Sequence, residues 1–171
     1  MIPTFLGCIV HAYDPSSKVK MDPEYLKYDN LHYHRMGIGE ADGETNIFID
    51  DKEEIINIAT LENILKKNGD DKKHITYLKV DVEGQELWFF KNWITSDTLK
   101  YVDQLGIEMH TCNNVIGKSK TKKFKEILEF MQRILIKYRL QLIQYNSNKF
   151  YDKIHDSQRL YYSYHDALFP K

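Results

Sequence analysis

The groups able to do chemistry in this 171-residue chain stand at the ends of apolar runs. Asp14 closes "GCIVHAYD", Asp81, Glu83 and Glu86 follow "YLKV", and Glu108 and His110 end "QLGIEMH". Alternation along an extended chain puts Asp81 and Glu83 on one side of their strand, and Glu108 and His110 on one side of theirs. Carboxylates placed directly after a buried strand are costly unless a cleft, a partner or a ligand solvates them, which points to a site at "VDVEGQE". Gly84 lets the backbone turn sharply or approach a ligand closely. The plainer reading has Glu83 and Glu86 at the N-terminus of a following helix, worth roughly 0.3–1 kcal/mol through its dipole. Both hold if Asp81 is functional and Glu86 structural. His110 acts as a base or pairs with Glu108, or is simply a polar boundary residue. Asp14 either accepts hydrogen bonds from ribose hydroxyls, as acids closing a strand of a nucleotide-binding sheet do, or starts a turn with Pro15.

Asp81, Glu83, Glu108 and His110 form an oxygen-rich set of the kind that holds Mg²⁺ or a transition metal. No spacing specific to a metal is present, so the expectation is no metal. The basic run "KSKTKKFK" (118–125) reads as a solvated helix start, and "LYYSY" (160–164) as cross-strand packing. Cys8 and Cys112 read as thiols in different strands; two cysteines make neither a disulfide framework nor a four-thiolate zinc site.

The elements that position these groups follow from periodicity. Strands are expected over 7–15 and 30–39, with a short helix or turn around "MDPEYLKYD" between them and a further short strand at "TNIFID". Thr60 can cap a helix over 61–68, with Gly69 at its left-handed end. The run 74–84 reads as a strand covered on both faces, and 103–111 as another. A partly helical stretch lies between them. From Thr121 to Arg139, Phe124, Ile127, Leu128, Met131, Ile134, Leu135 and Tyr138 recur at helical spacing. Runs at 140–145 and 159–169 form a late antiparallel pair at one edge. Strands alternating with helices imply an α/β fold with a parallel, doubly wound sheet that binds ligands beyond the carboxyl ends of its strands.

Composition bounds the function. Lys and Arg total 24 against 25 Asp and Glu, giving a net charge of −1. So balanced a chain has no long-range field for a polyanion, and no nucleic-acid partner is expected. No run approaches the ~20 apolar residues of a membrane span, and "MIPTFLGCIV" lacks the basic region and cleavage site of a signal peptide. One domain over 1–171 is the expectation from length.

"VHAYDPS", "TLENIL", "YLKVDVEGQE" and "QLGIEMH", in this order, resemble the FkbM-type and related methyltransferase-like families. The resemblance implies a Rossmann-like class I methyltransferase sheet, mostly parallel with an antiparallel C-terminal edge, and S-adenosylmethionine as cofactor. It implies cofactor contacts at Asp14 (ribose), Gly37 and Ile38 (adenine) and Asp81. It places Asp81, Glu83, Glu108 and His110 beside the methyl group and acceptor, with Asp81 and His110 as proton acceptors and Glu83 and Glu108 orienting them. Such a fold opens with a strand and a glycine-rich turn, and neither precedes Gly7 here. The expectation is therefore an N-terminally truncated domain. The activity implied is O-methylation of a hydroxyl on a small molecule or glycan; the rival is an inactive, binding or scaffold version. A dinucleotide oxidoreductase ranks last, since it leaves "DVEG" without a role. Localisation is cytoplasmic by default, with the secretory pathway open if a segment is missing, and the oligomeric state is not indicated.

Overall fold

A computed structural model describes residues 7–49, 52–82, 85–110, 120–147 and 157–164, with backbone alone at 26, 49, 88, 120–124, 144–147 and 157–164. The chain divides into two compact units, Met1–Ile64 and Leu65–Lys171, each described by itself.

In the first unit β1 (Val10–Tyr13) and β2 (Leu31–His34) pair in parallel, Val10 opposite Leu31 and Tyr13 opposite His34. A single 3-10 turn, Tyr25–Lys27, lies between them. The one strand expected over 30–39 is broken. Met36 N–H bonds back to the His34 carbonyl at 3.0 Å, and the chain resumes as β3 (Gly37–Ile38) in a different sheet. That sheet also contains β4 (Gly43–Ile49) and β5 (Lys52–Ala59), in the order β3-β5-β4, with β3 parallel and β4 antiparallel to β5. The short strand expected at "TNIFID" is thus one arm of a hairpin. Its partner β5 was not expected, because its "KEEII" start carries three charges and no clean alternation. The glycines at the break pack closely on β5. A Cβ on Gly37 would stand 3.3 Å from the Ile58 side chain, and one on Gly39 only 2.7 Å from it, so any larger residue there would displace Ile58.

α1 (Leu61–Asn68) begins and ends as its sequence requires. The Thr60 hydroxyl accepts the Asn63 N–H at 3.2 Å. Gly69, at φ +72°, donates to the Lys66 carbonyl, and Asp70 N–H reaches the Leu65 carbonyl, which closes a Schellman motif.

The second unit carries β6 (Leu78–Val80), α2 (Glu86–Thr95), β7 (Gln104–His110), α3 (Lys120–Tyr138), β8 (Leu140–Ser147) and β9 (Ser157–Tyr164). Its sheet runs β6-β7-β9-β8: β6 and β7 are parallel, and β9 is antiparallel to both β7 and β8. β6 is shorter than the expected 74–84. Ile75 makes only an isolated bridge to Val102, and residues 83 and 84 lie outside the described set. The described residues thus form a mixed α/β architecture of three sheets, not one continuous parallel sheet, with the expected antiparallel pair at the C-terminal edge.

The core of this unit is one face of β7 (Leu105, Ile107, Met109) with Phe89, Phe90 and Trp93 of α2 and Ile127, Met131, Ile134 and Tyr138 of α3, all buried. Leu128, expected on the buried stripe, is 45% exposed, so the stripe is narrower than the periodicity implied. α3 stops one residue before the expected end, at Arg139 with φ 53°. Its last turn serves α2: the Tyr138 hydroxyl donates to the carbonyls of Trp93 and Ser96, and the Lys137 ammonium to those of Ile94 and Ser96. The open carbonyls at the end of α2 thereby gain donors and a nearby positive charge.

Candidate active site

β6 and β7 build the site by register. Leu78 lies opposite Leu105 and Val80 opposite Ile107, so the intervening Lys79 lies opposite Gly106. Continuing one residue past β6 sets Asp81 beside Glu108, and alternation brings His110 onto that same face. The geometry agrees. One ligand atom from each of Asp81, Glu108 and His110 lies within 4.8 Å of the others. The face opposite is the apolar core, so the sheet separates packing from chemistry. Gly106 makes room on this face for the Tyr77 ring, since a Cβ there would collide with the Tyr77 hydroxyl.

Each group is held differently. Asp81 is paired through Oδ2 with the Lys79 ammonium at 3.0 Å, while its Oδ1 stands 3.9 Å from His110 Nε2. Glu108 is only 5% exposed, and the antiparallel register sets Arg159 directly across from it. His110, 12% exposed, is fixed by Glu86. The Glu86 carboxylate is fully buried, and its Oε1 accepts from the ring Nδ1 of His110 at 2.7 Å and from its backbone N–H at 3.3 Å. With Glu86 as the acceptor, Nδ1 carries the hydrogen and Nε2 is the ring atom on the side of Asp81.

Sequence reasoning found Asp81, Glu108 and His110, and the structure brings them together. Glu83 and Gly84 lie outside the described residues. It missed two groups. Glu86 was read as a helix-start acid; it does sit in the first turn of α2, but its partner is His110, across the fold. Lys79 was passed over, although strand alternation puts it on the side of Asp81. The remaining expected residues, Asp14, Gly37 and Ile38, belong to the first unit.

Asp14 stands just past the carboxyl end of β1. Its Oδ1 accepts the Ser16 N–H at 2.8 Å in a local turn, and its backbone carbonyl accepts the Tyr33 hydroxyl at 3.1 Å. The turn reading is therefore realised. Gly37 is buried against Ile58, Ile56 and Pro15, so its lack of a side chain serves packing.

A family model described as a methyltransferase domain matches residues 4–151. The chain belongs to this methyltransferase-domain family. No curated protein and no solved structure matches it. The match spans β1 to β8 and includes every residue of the Asp81–Glu86–Glu108–His110 constellation. No helix among the described residues is long and apolar enough to cross a membrane.

Proposed function

We propose that this methyltransferase domain transfers a methyl group from S-adenosylmethionine to a hydroxyl of a small molecule or glycan. The observation that carries this reading is the Asp81–Glu108–His110 cluster at the end of β6 and β7, with His110 oriented by a buried carboxylate. The cofactor, when bound, supplies an activated methyl group. What the chain must add is alignment of the acceptor and removal of its proton. His110 Nε2 and Asp81 Oδ1, 3.9 Å apart, are the two proton-accepting atoms, and a hydroxyl offered between them can give its hydrogen to either. Lys79 holds Asp81 in place through its 3.0 Å ion pair, while Glu108 and Glu83 orient the acceptor. In the first unit, Asp14 is the residue proposed for the ribose hydroxyls, with Gly37 and Ile38 along the adenine. Asp81 is the cofactor-side residue of the second. The finer likeness to the FkbM-type branch rests on "YLKVDVEGQE" and "QLGIEMH". A near-zero net charge favours a neutral acceptor over a polyanion.

Asp81→Asn tests this. Asp81 is partly exposed and outside the core, so the variant should fold, while transfer of radiolabelled methyl groups to glycan or small-alcohol acceptors should fall by about 10²–10⁴-fold. Unchanged transfer would remove Asp81 from the mechanism.

A further inference from the structure

We propose that Asp81 Oδ1, a Glu108 carboxylate oxygen and His110 Nε2 form a binding site for one divalent cation of the Mn²⁺ or Mg²⁺ class. This rests on, and deepens, the reading of the cluster as the place where the acceptor is activated. The first support is distance. Three ligand atoms from three residues lie within 4.8 Å of one another. The 3.9 Å between Asp81 Oδ1 and His110 Nε2 exceeds a hydrogen bond. It falls inside the span of about 4.2 Å open to two ligands each about 2.1 Å from a common ion.

The second support is the histidine. Its Nδ1 hydrogen is committed to Glu86, whose carboxylate is fully buried. Metal-ligating histidines are held in this way, the carboxylate fixing ring and tautomer and raising the basicity of the other nitrogen. With Nδ1 turned to Glu86, Nε2 is the ring atom facing Asp81 Oδ1 at 3.9 Å, and a cation between the two would be held by both. The third support is the ligand set. Two carboxylates with one imidazole suit Mn²⁺ or Mg²⁺ with open positions for water or an acceptor oxygen, and the described cluster contains no thiolate that would favour a softer ion. Such an ion would draw the acceptor oxygen into the cluster and make its hydroxyl proton easier to lose to solvent water, with His110 as a ligand in place of the proton-accepting role it has without the ion.

The test is calorimetric titration of the whole chain with MnCl₂ at neutral pH, alongside Glu108→Gln, His110→Gln and Glu86→Gln, each checked for folding by circular dichroism. One Mn²⁺ per chain, lost in Glu108→Gln and His110→Gln and weakened about 10–100-fold in Glu86→Gln, is the expected result. No binding to a folded chain, or equal binding by folded variants, overturns the site. Methyl transfer measured with and without a chelator separates this from the proposed activity. Transfer that survives chelation by a chain that binds no Mn²⁺ sinks the cation and keeps the methyltransferase, whereas Mn²⁺ binding without any S-adenosylmethionine binding does the reverse.

Discussion

His110 and His34 show how differently one side-chain type is used. His110 is tied to a buried carboxylate, whereas His34 sits among aromatic rings. Its Nε2 hydrogen-bonds His11 Nδ1 at 3.0 Å, its ring stacks on Tyr13 at 4.5 Å, and His11 stacks in turn on His32. Burial, and then the charge of His32, hold the His34 pKa below the ordinary 6.5. The folded chain thus resists a proton that the unfolded chain takes up. This contribution to stability is complete above the unfolded value and is lost as the pH falls from there toward the folded pKa. Thermal melts should show a lower midpoint near pH 5.5 than near pH 7.5, at about one unit either side of the unfolded histidine pKa. The difference should shrink in His34→Gln, which cannot titrate; an identical pH dependence in the variant would clear His34 of the effect. At this scale the sequence was readable where alternation decides the face, as at Asp81, Glu108 and His110. It was unreadable for Glu86, because nothing local tells a helix-start acid that caps its own helix from one that reaches a strand 24 residues away.

Among the elements, the elements richest in local signals came out as expected. Thr60 and Gly69 delimit α1, and the three- and four-residue spacing of Ile127, Met131, Ile134 and Tyr138 gives the buried stripe of α3. Non-local pairing defeated the reading elsewhere. Leu31 to Gly39 looks like one strand because alternation continues through it, yet β2 pairs with β1 and β3 with β5, where Ile58 packs on the glycines. The α2–α3 junction is testable in the same terms. Tyr138 donates to two carbonyls, at 2.7 Å to Trp93 and 2.6 Å to Ser96, from a largely buried position, and burial raises its pKa. Tyr138→Phe keeps the ring and strips both bonds, so urea unfolding should show a loss of about 1–3 kcal/mol. A change within about 0.5 kcal/mol would mean the carbonyls are served without it.

For the whole molecule, composition excluded more than it identified. Balanced charge argued against a polyanion partner, and 42% hydrophobic residues argued for a packed fold. The ordered motifs pointed to a methyltransferase-like family, and the match over residues 4–151 shows a methyltransferase domain. Neither composition nor motif order reveals how the chain divides into compact units, because that depends on contacts far apart in sequence. The central claim is that a domain of this family, with a carboxylate at Asp14 and an acid–histidine cluster at Asp81, Glu108 and His110, works on S-adenosylmethionine. Calorimetric titration of the 171-residue chain with S-adenosylmethionine tests it most directly. The account predicts saturable one-to-one binding in the micromolar range that is weakened in Asp14→Ala. A folded chain that gives no binding heat at millimolar cofactor would contradict it.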